Sequence, residues 1–148
     1  MRLTDMQLDF FDAFGFLVLR QLLSPAETKR YLEEFDAGLD SWHAAGRHDG
    51  ENRHWAPFLD ERTPFITSLI DDPRFADVAE QLLGKPVLGV ECDGNYYVGD
   101  TRWHPDTRSL DWKGVKFAIY GERLDGSSGA LRVVPGSHRE PLHSQPKA

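Results

Sequence analysis

Apolar residues near the start of the chain recur at helical spacing. They occur at every third position from Leu8 to Phe14, which places them on one face of a helix. Thr4 precedes this run and is followed three residues later by Gln7, the pattern of a capping box. Gly15 follows the run directly, and glycine commonly ends helices because it adopts the left-handed conformation without strain. The pattern therefore predicts a first helix that ends at Gly15.

A longer helix is predicted from a second start signal. Ser24 is a favoured N-cap residue, Pro25 suits the first helical turn, and Glu27 can complete a capping box. The apolar stripe of this helix comprises Tyr31, Leu32, Phe35, Leu39 and Trp42. A stripe of this kind is typical of a helix that packs one face against a protein core.

Two shorter helices are expected where a capping residue precedes a proline, at Thr63–Pro64 and at Asp72–Pro73. The second of these should end near Gly84. Residues 43–63 show neither helical nor strand periodicity, so they are predicted to form a long surface loop. Three of the six histidines lie in this loop and are expected to be solvated: His43, His48 and His54.

Strands dominate the predictions for the second half of the chain. Residues 85–100 favour a strand in which Asp93, Asn95 and Tyr97 share one face, because side chains alternate along a strand. Short runs rich in apolar and β-branched residues predict further strands at 16–20, 115–120 and 130–136.

The length of the chain and the order of these elements favour one α+β domain. A chain of 148 residues falls in the usual size range of a single domain. Helices are predicted over about residues 1–84 and strands over about residues 85–140. This order is typical of helices packed against an antiparallel sheet that forms a mainly β core.

Composition and charge exclude several classes of partner. The excess of 24 acidic over 17 basic residues gives a net charge of -7, which disfavours nucleic acid or an anionic membrane surface. Acidic residues interrupt the apolar positions at the start, unlike a signal peptide, and no stretch approaches the ~20 apolar residues of a membrane span. A cytoplasmic protein that acts on a small-molecule substrate is therefore expected. Cys92, the single cysteine, is expected to be a small buried side chain.

A histidine and a carboxylate lie two positions apart at His104 and Asp106. On an extended segment such side chains project to the same side, so both can bind one metal ion. An imidazole with a carboxylate suits Fe(II), and a second histidine elsewhere would complete the ligand set of non-haem iron oxygenases. The same pair also fits an ordinary polar turn, so the motif alone is a weak indication.

Three segments together resemble the phytanoyl-CoA dioxygenase family, whose members are Fe(II)- and 2-oxoglutarate-dependent oxygenases. The segments are FFDAFGFLVLRQLLSPAE at 10–27, WHPD at 103–106 and DGSSGALRVVPGSH at 125–138. The resemblance extends over about residues 8–139, and the glycine-rich turn ending in RVVPGSH is its most specific part. It implies a double-stranded β-helix, the jelly-roll barrel of cupin-like proteins, with the helices packed against its sheet.

The resemblance also implies roles for individual residues. His104 and Asp106 would be the catalytic iron ligands, and Asn95 and Tyr97 would line the cosubstrate pocket. The implied cofactors are Fe(II) and 2-oxoglutarate. The implied reaction is hydroxylation of a C–H bond in a small organic substrate, coupled to oxidative decarboxylation of 2-oxoglutarate. Trp103, beside His104, is expected to shield the metal or to pack in the core.

The family's distal histidine ligand and its cosubstrate-binding arginine normally lie well beyond the Pro-Gly-Ser-His segment. This sequence extends ten residues past His138, so the resemblance implies an incomplete barrel. Three interpretations are open. The chain is a partial gene product, or two copies complete each other as a homodimer through an open sheet edge, or the chain is an inactive half-barrel that binds a small ligand or a partner.

Four residues of the chain are candidates for the missing roles. His138 belongs to the family's turn and is expected to form a hydrogen bond to the backbone, and it is also a candidate third iron ligand. His143 is a second candidate, although a histidine near a chain end is a poor fixed ligand. Arg132 and Lys116 are candidates for binding the 2-oxoglutarate carboxylate, and both also fit the polar face of a surface strand.

Two rival functions are compatible with the central motif. HPD at residues 104–106 is also the signature of chaperone J-domains, which carry it between two helices, whereas strands are predicted on both sides here. A cupin-type isomerase or lyase would use the metal site without 2-oxoglutarate. The dioxygenase is the leading hypothesis, because it accounts for all three matching segments.

Overall fold

A computed structural model of the chain describes residues 1–43, 47–107 and 111–144. Its contacts divide the chain into two units, each assembled from separated stretches of sequence. The first unit comprises Met1–Arg20, Asp77–Val87 and Asp100–Ala148, and the second comprises Gln21–Ala76 and Leu88–Gly99. No helix within the described ranges has both the length and the apolar character needed to cross a lipid bilayer.

Four α-helices and two strands occur in the described ranges. In chain order they are α1 (Asp5–Phe14), α2 (Pro25–Trp42), β1 (His54–Pro57), α3 (Pro64–Ser68) with a 3-10 turn at Leu69–Asp71, α4 (Pro73–Leu83) and β2 (Asp93–Tyr96). All four predicted helices are therefore present, at the predicted start residues.

Local signals set both ends of α1. The Gln7 backbone N–H donates to Thr4 Oγ1 at 3.3 Å, and the Thr4 N–H donates to Gln7 Oε1 at 2.9 Å, so the capping box is complete. Gly15 adopts the left-handed conformation, with φ at 79°, and ends the helix. The prediction for this helix is confirmed.

The start of α2 combines a local cap with a tertiary ion pair. The Glu27 N–H donates to Ser24 Oγ at 3.3 Å, and the Ser24 N–H donates to Glu27 Oε2 at 2.8 Å. The Glu27 carboxylate also accepts a hydrogen bond from Arg74 of α4 at 2.7 Å. Arg74 pairs with Asp72 as well. The predicted cap is confirmed, and Arg74 connects it to the start of another helix.

A side chain from another helix caps α3. The sequence suggested Thr63 as the cap, but Thr63 Oγ1 donates instead to the carbonyl oxygen of Phe58 at 2.8 Å. Glu34 of α2 takes that role, since its Oε2 accepts from the N–H groups of Phe65 at 2.7 Å and Ile66 at 3.1 Å. A tertiary contact thus satisfies backbone donors that a local cap usually satisfies.

The predicted surface loop at residues 43–63 contains a strand, so that prediction is wrong for its second half. β1 lies within it and pairs antiparallel with β2. Ala56 in β1 and Phe58 just after it are fully buried. A strand of four residues that ends in a proline offers too short an alternation to be recognised from the sequence.

The core of the second unit is built around Phe58. The Phe35 ring of α2 meets it edge-on, with the centroids 5.3 Å apart. Two glycines allow the backbone to approach the same ring: a Cβ atom would lie 2.1 Å from it at Gly94 of β2 and 2.9 Å from it at Gly38 of α2. The strand and the helix therefore close on Phe58 because neither carries a side chain there.

Other runs predicted as strands are not paired. Within residues 1–43, 47–107 and 111–144, ladder pairing joins β1 and β2 alone, so no strand forms at the predicted positions 16–20, 115–120 and 130–136. Leu131 in the last of these runs is 63% exposed. A strand needs a partner ladder as well as a suitable sequence. The double-stranded β-helix and its extent as one domain over residues 1–148 stay predictions.

Candidate functional site

Five side chains on or beside the sheet form the polar sheet face: Arg53, Trp55, Asp93, Asn95 and Tyr97. Trp55 lies opposite Asn95 in the ladder. Because side chains alternate along a strand, residues two positions away on either strand share this face. The predicted common face of Asp93 and Asn95 is confirmed within β2, and Tyr97 directly follows the strand.

A continuous chain of hydrogen bonds crosses the polar sheet face. Arg53 Nε donates to Asn95 Oδ1 at 2.9 Å, and Arg53 Nη2 donates to the same oxygen. The Asn95 amide nitrogen donates to Asp93 Oδ2. The indole N–H of Trp55 donates to that same Asp93 oxygen at 2.9 Å. Arg53 and Asp93 thus fix the orientation of the Asn95 amide, because its oxygen faces the Arg53 guanidinium and its nitrogen faces the Asp93 carboxylate.

Aromatic rings border this chain of hydrogen bonds and are open to solvent. The Arg53 guanidinium carbon lies 4.6 Å from the centroid of the Tyr97 ring, within the range of a cation–π contact. Tyr97 is 57% exposed and Trp55 is 47% exposed. The sequence predicted Asn95 and Tyr97 as residues of the cosubstrate pocket. It did not identify Arg53 or Trp55, because their relation to β2 depends on strand pairing.

The His104 and Asp106 pair lies in the first unit, in an exposed segment outside any helix or strand. His104 Nδ1 lies 2.7 Å from the carbonyl oxygen of Arg102. A carbonyl can only accept, so Nδ1 carries a proton and Nε2 is the ring nitrogen left for a metal. This arrangement of a backbone carbonyl behind an imidazole is typical of histidines that bind metals.

Asp106 is paired with a lysine. Its Oδ1 lies 3.4 Å from Lys116 Nζ, and both side chains are largely exposed. His104 and Asp106 supply donors of the kind that Fe(II) binds, a neutral imidazole and a carboxylate. Across the described parts of the chain, no group of three or more histidine, cysteine or carboxylate side chains is arranged to hold a metal ion. His104 and Asp106 are thus of the right chemical kind to bind Fe(II), and together they supply two protein ligands.

His138, a candidate third ligand, is engaged elsewhere. Its Nε2 lies 3.1 Å from the carbonyl oxygen of Asp12 near the end of α1, which confirms the expected bond to the backbone. Its ring covers Gly15, where a Cβ atom would lie 2.3 Å from Nδ1. Nδ1 of His138 and Nε2 of His143 are both buried without a hydrogen-bond partner in the described residues. These two ring nitrogens are therefore closed off from solvent.

The two basic residues considered for binding 2-oxoglutarate both have acidic partners. Arg132 Nη2 lies 3.6 Å from Asp100 Oδ1, and Lys116 is paired with Asp106. The Arg132 guanidinium also covers the ring of Trp103, 5.3 Å from its centroid. Trp103 is exposed, so the expectation that it packs in the core is wrong.

The three histidines predicted to be solvated form a cluster in the second unit. The rings of His43 and His54 are stacked with centroids 3.9 Å apart, and His48 meets His54 edge-on at 4.9 Å. His54 is only 8% exposed, so the prediction is wrong for that residue. Pairing of β1 with β2 turns His54 toward the interior, and no signal in the local sequence indicates this.

A cavity of about 300 Å³ lies beside this cluster. It is lined by Asp36, Asp40, Arg47, His48 and Tyr96. The Tyr96 hydroxyl donates to Asp36, and burial together with this hydrogen bond raises the pKa of Tyr96. The lining carries charges of both signs, so it does not identify one class of ligand.

Cys92 contributes no reactive thiol. The side chain is half-buried, and burial raises the pKa of the thiol to about 11, with smaller contributions from Asp93 and Glu91. The thiol is therefore protonated at neutral pH and is a weak nucleophile and a weak metal ligand.

Comparison with known proteins agrees with the resemblance of the motifs. The model of the phytanoyl-CoA dioxygenase (PhyH) family matches residues 11–147. An ectoine dioxygenase of Bordetella bronchiseptica is 26% identical over 151 residues, which cover 90% of this chain and 49% of that protein. An ectoine dioxygenase of Nocardia farcinica is 27% identical over 150 residues, with 90% and 50% covered.

The chain spans about half the length of the curated relatives it matches. No solved structure matches it significantly. The family match, however, covers nearly the whole chain and includes the segments with His104, Asp106 and Asn95. The chain therefore belongs to the phytanoyl-CoA dioxygenase family.

Proposed function

We propose that this protein is an Fe(II)- and 2-oxoglutarate-dependent dioxygenase that hydroxylates a small organic substrate. The observation that carries the proposal is the pairing of family membership over residues 11–147 with the state of His104. The Arg102 carbonyl fixes the tautomer that leaves Nε2 free to bind a metal. Asp106, two residues later, supplies a carboxylate.

In this proposal His104 and Asp106 would hold the iron. Bound iron, with 2-oxoglutarate and dioxygen, supplies oxidation of an unactivated C–H bond coupled to conversion of 2-oxoglutarate to succinate and carbon dioxide. The Arg102 carbonyl orients the imidazole, and Lys116 balances the charge of the Asp106 carboxylate. The cosubstrate-binding role that the resemblance implies for Asn95 and Tyr97 stays a prediction. These groups position the reactants, while the metal and cosubstrate carry the difficult step.

The relatives suggest a class of substrate to test first. Both matched proteins are named ectoine dioxygenases, so ectoine and similar small polar metabolites are the first candidates for this chain. Substrates should be screened by following substrate-dependent release of succinate, because succinate is formed whichever C–H bond is oxidised.

A second candidate function is a ligand-binding module without oxygenase activity. It is favoured by the number of metal donors, since the described side chains bring together fewer than three. This candidate predicts that the protein binds a small ligand without retaining Fe(II).

An anaerobic titration separates the two candidates. Fe(II) and 2-oxoglutarate are added to the purified protein while the weak visible charge-transfer band of the chelated cosubstrate is followed. The dioxygenase predicts a band that is lost in His104→Ala and retained in His48→Ala, a matched histidine outside the proposed ligand pair. Absence of the band from the folded wild-type protein would favour the binding module.

A further inference from the structure

We propose that the histidine cluster makes the contact between the end of α2 and β1 sensitive to acid. The cluster comprises His43, His48 and His54, and it lies wholly within the second unit. Its role is independent of the proposed iron and cosubstrate sites, because none of the three residues takes part in them. Three features of the cluster support this role: the stacking of two rings, the burial of His54 and the position of the surrounding charges.

His43, the C-cap residue of α2, contacts β1 in two ways. Its ring stacks on that of His54, with the centroids 3.9 Å apart and the planes inclined by 9°. Its Nε2 lies 3.2 Å from the carbonyl oxygen of Trp55, the next residue of β1. A carbonyl can only accept, so Nε2 of His43 is the donor. The imidazole of His43 therefore joins the end of the helix to the strand.

His54 occupies a position where an added proton has no acceptor. The residue is 8% exposed, and its Nδ1 is buried without a hydrogen-bond partner. A neutral imidazole carries one N–H group, whereas the charged form carries an N–H group on both nitrogens. Protonation of the folded protein would therefore bury a positive charge and leave an unsatisfied donor at Nδ1. The folded arrangement favours the neutral ring.

The neighbouring rings make a charge on His54 more costly still. Two imidazolium rings as close as those of His43 and His54 would repel each other, because like charges interact strongly at this distance away from water. His48 meets His54 edge-on, with the centroids 4.9 Å apart, so a charge on His48 also lies close to the buried ring. The three rings therefore cannot all become charged while they remain in contact.

The charged groups around the cluster lie on the side of His48. The cavity that His48 lines is bordered by Asp36 and Asp40 of α2, by Arg47 and by Tyr96 of β2, and Asp49 follows His48 in the sequence. The carboxylates favour a proton on His48, while Arg47 opposes it. Arg53 and Asp93 belong to the polar sheet face, on the other side of the strands. His48 can therefore take up a proton at a lower cost than His54.

The unfolded chain has none of these constraints. In water a histidine takes up a proton near its ordinary pKa, at about pH 6.5. Below that pH the unfolded state binds more protons than the folded state, and stability rises with pH wherever this is the case. The contribution of the cluster is therefore complete above about pH 6.5 and is lost progressively as the pH falls below that value.

Opening of the cluster would also affect the polar sheet face. His54 is the first residue of β1 and lies opposite Tyr96 in the ladder. Arg53, directly before it, donates to Asn95. Separation of His54 from His43 would release this end of the strand, so acid should weaken the hydrogen bond between Arg53 and Asn95 as well.

The test is urea unfolding of the intact, metal-free protein at several pH values between about 7.5 and about 5, the range in which histidines titrate. The wild type is compared with His54→Phe and His104→Gln. Phenylalanine keeps an aromatic ring in the stack but cannot take up a proton. His104 is the matched control, because it is an exposed histidine of the other unit.

We expect the unfolding equilibrium constant of the wild type to rise about tenfold more over this range than that of His54→Phe, because a proton bound by the unfolded chain alone contributes up to about tenfold for each pH unit. His104→Gln should show the wild-type dependence on pH. A constant ratio between the wild type and His54→Phe at every pH would mean that His54 contributes packing alone, and it would overturn the proposal.

A second measurement decides the question if His54→Phe does not fold. The imidazole ring signals of the wild type are followed by NMR over the same pH range, after assignment with single-histidine variants. We expect the His104 signal to move to the position of a charged ring while the His54 signal stays at the neutral position for as long as the protein is folded. A His54 signal that moves together with that of His104 in the folded protein would overturn the proposal.

Discussion

Gly94 is the residue at which β2 passes closest to the core. A methyl group there would lie 2.1 Å from the Phe58 ring, which is fully buried and cannot move aside. We expect Gly94→Ala to lower the free energy of unfolding by about 1–3 kcal/mol, the usual cost of overpacking.

Urea denaturation of both forms measures this effect, with Gly114→Ala as the control. A Cβ atom at Gly114 meets no atom within 4 Å, so that change should alter the free energy of unfolding by less than about 0.5 kcal/mol. Equal stability of Gly94→Ala and the wild type would contradict the close approach of β2 to Phe58.

Single residues were predictable where their partners are near in sequence or where the family motif fixes their role. The bond between His138 and the backbone was expected from the resemblance and is present. Arg53 was not identified, because it touches Asn95, 42 positions away. The burial of His54 was missed for the same reason, since it follows from pairing with Tyr96. The iron and cosubstrate roles of His104, Asp106 and Asn95 remain predictions.

Helices and strands differed in how far the sequence predicted them. The capping signals of α1 and α2 act over three residues, so each helix could be located from a short stretch. The partner of β1 is 36 or more positions further along the chain, and nothing in its own four residues indicates which stretch that is. The apolar and β-branched residues at 115–120 and 130–136 suit a strand, but they do not show whether a partner strand is present.

The cap of α2 should make the stability of the protein depend on acidity. Hydrogen bonds from Arg74 and Ser24 lower the pKa of Glu27 from 4.5 to about 2. A carboxylate with a lowered pKa in the folded state stabilises that state fully above its ordinary pKa. Its contribution is lost as the pH falls from about 4.5 through about 2.

Glu27→Gln isolates this contribution, because glutamine keeps the capping hydrogen bond and loses the charge paired with Arg74. We expect the variant to be less stable than the wild type at pH 7, with the difference shrinking as the pH falls from about 4.5 to about 2. Urea unfolding across this range measures the difference, with Glu33→Gln on the exposed surface of the same helix as the control. A difference that is constant with pH would contradict the role of the charge.

At the level of the whole molecule, the unpaired runs allow a test of the homodimer interpretation. Leu131 and Val133 are exposed in a run suited to a strand but without a ladder partner in the described ranges. An unpaired run of this kind can pair with the same run of another chain once it becomes extended. In the homodimer interpretation, one of the three left open by the sequence, two copies would pair through this run.

We expect the wild-type protein to sediment as a dimer at tens of micromolar and Val133→Lys to weaken the dimer about tenfold or more, since a buried lysine is costly at a paired edge. Analytical ultracentrifugation over a range of concentrations measures this. Met6→Lys, at an exposed position of α1, should sediment like the wild type. A wild-type protein that is monomeric at every concentration would exclude pairing through this edge.

The contact of His138 with the end of α1 joins residues 126 positions apart. Arg139, the next residue, donates to the Asp12 side chain and lowers its pKa. Closing so long a loop is entropically costly and slow compared with forming a helix. During synthesis α1 can form its helix as soon as it is made. Its C-terminal end lacks these contacts until residue 139 has emerged from the ribosome. The C-terminal end of α1 is therefore completed by residues that are made more than a hundred positions later.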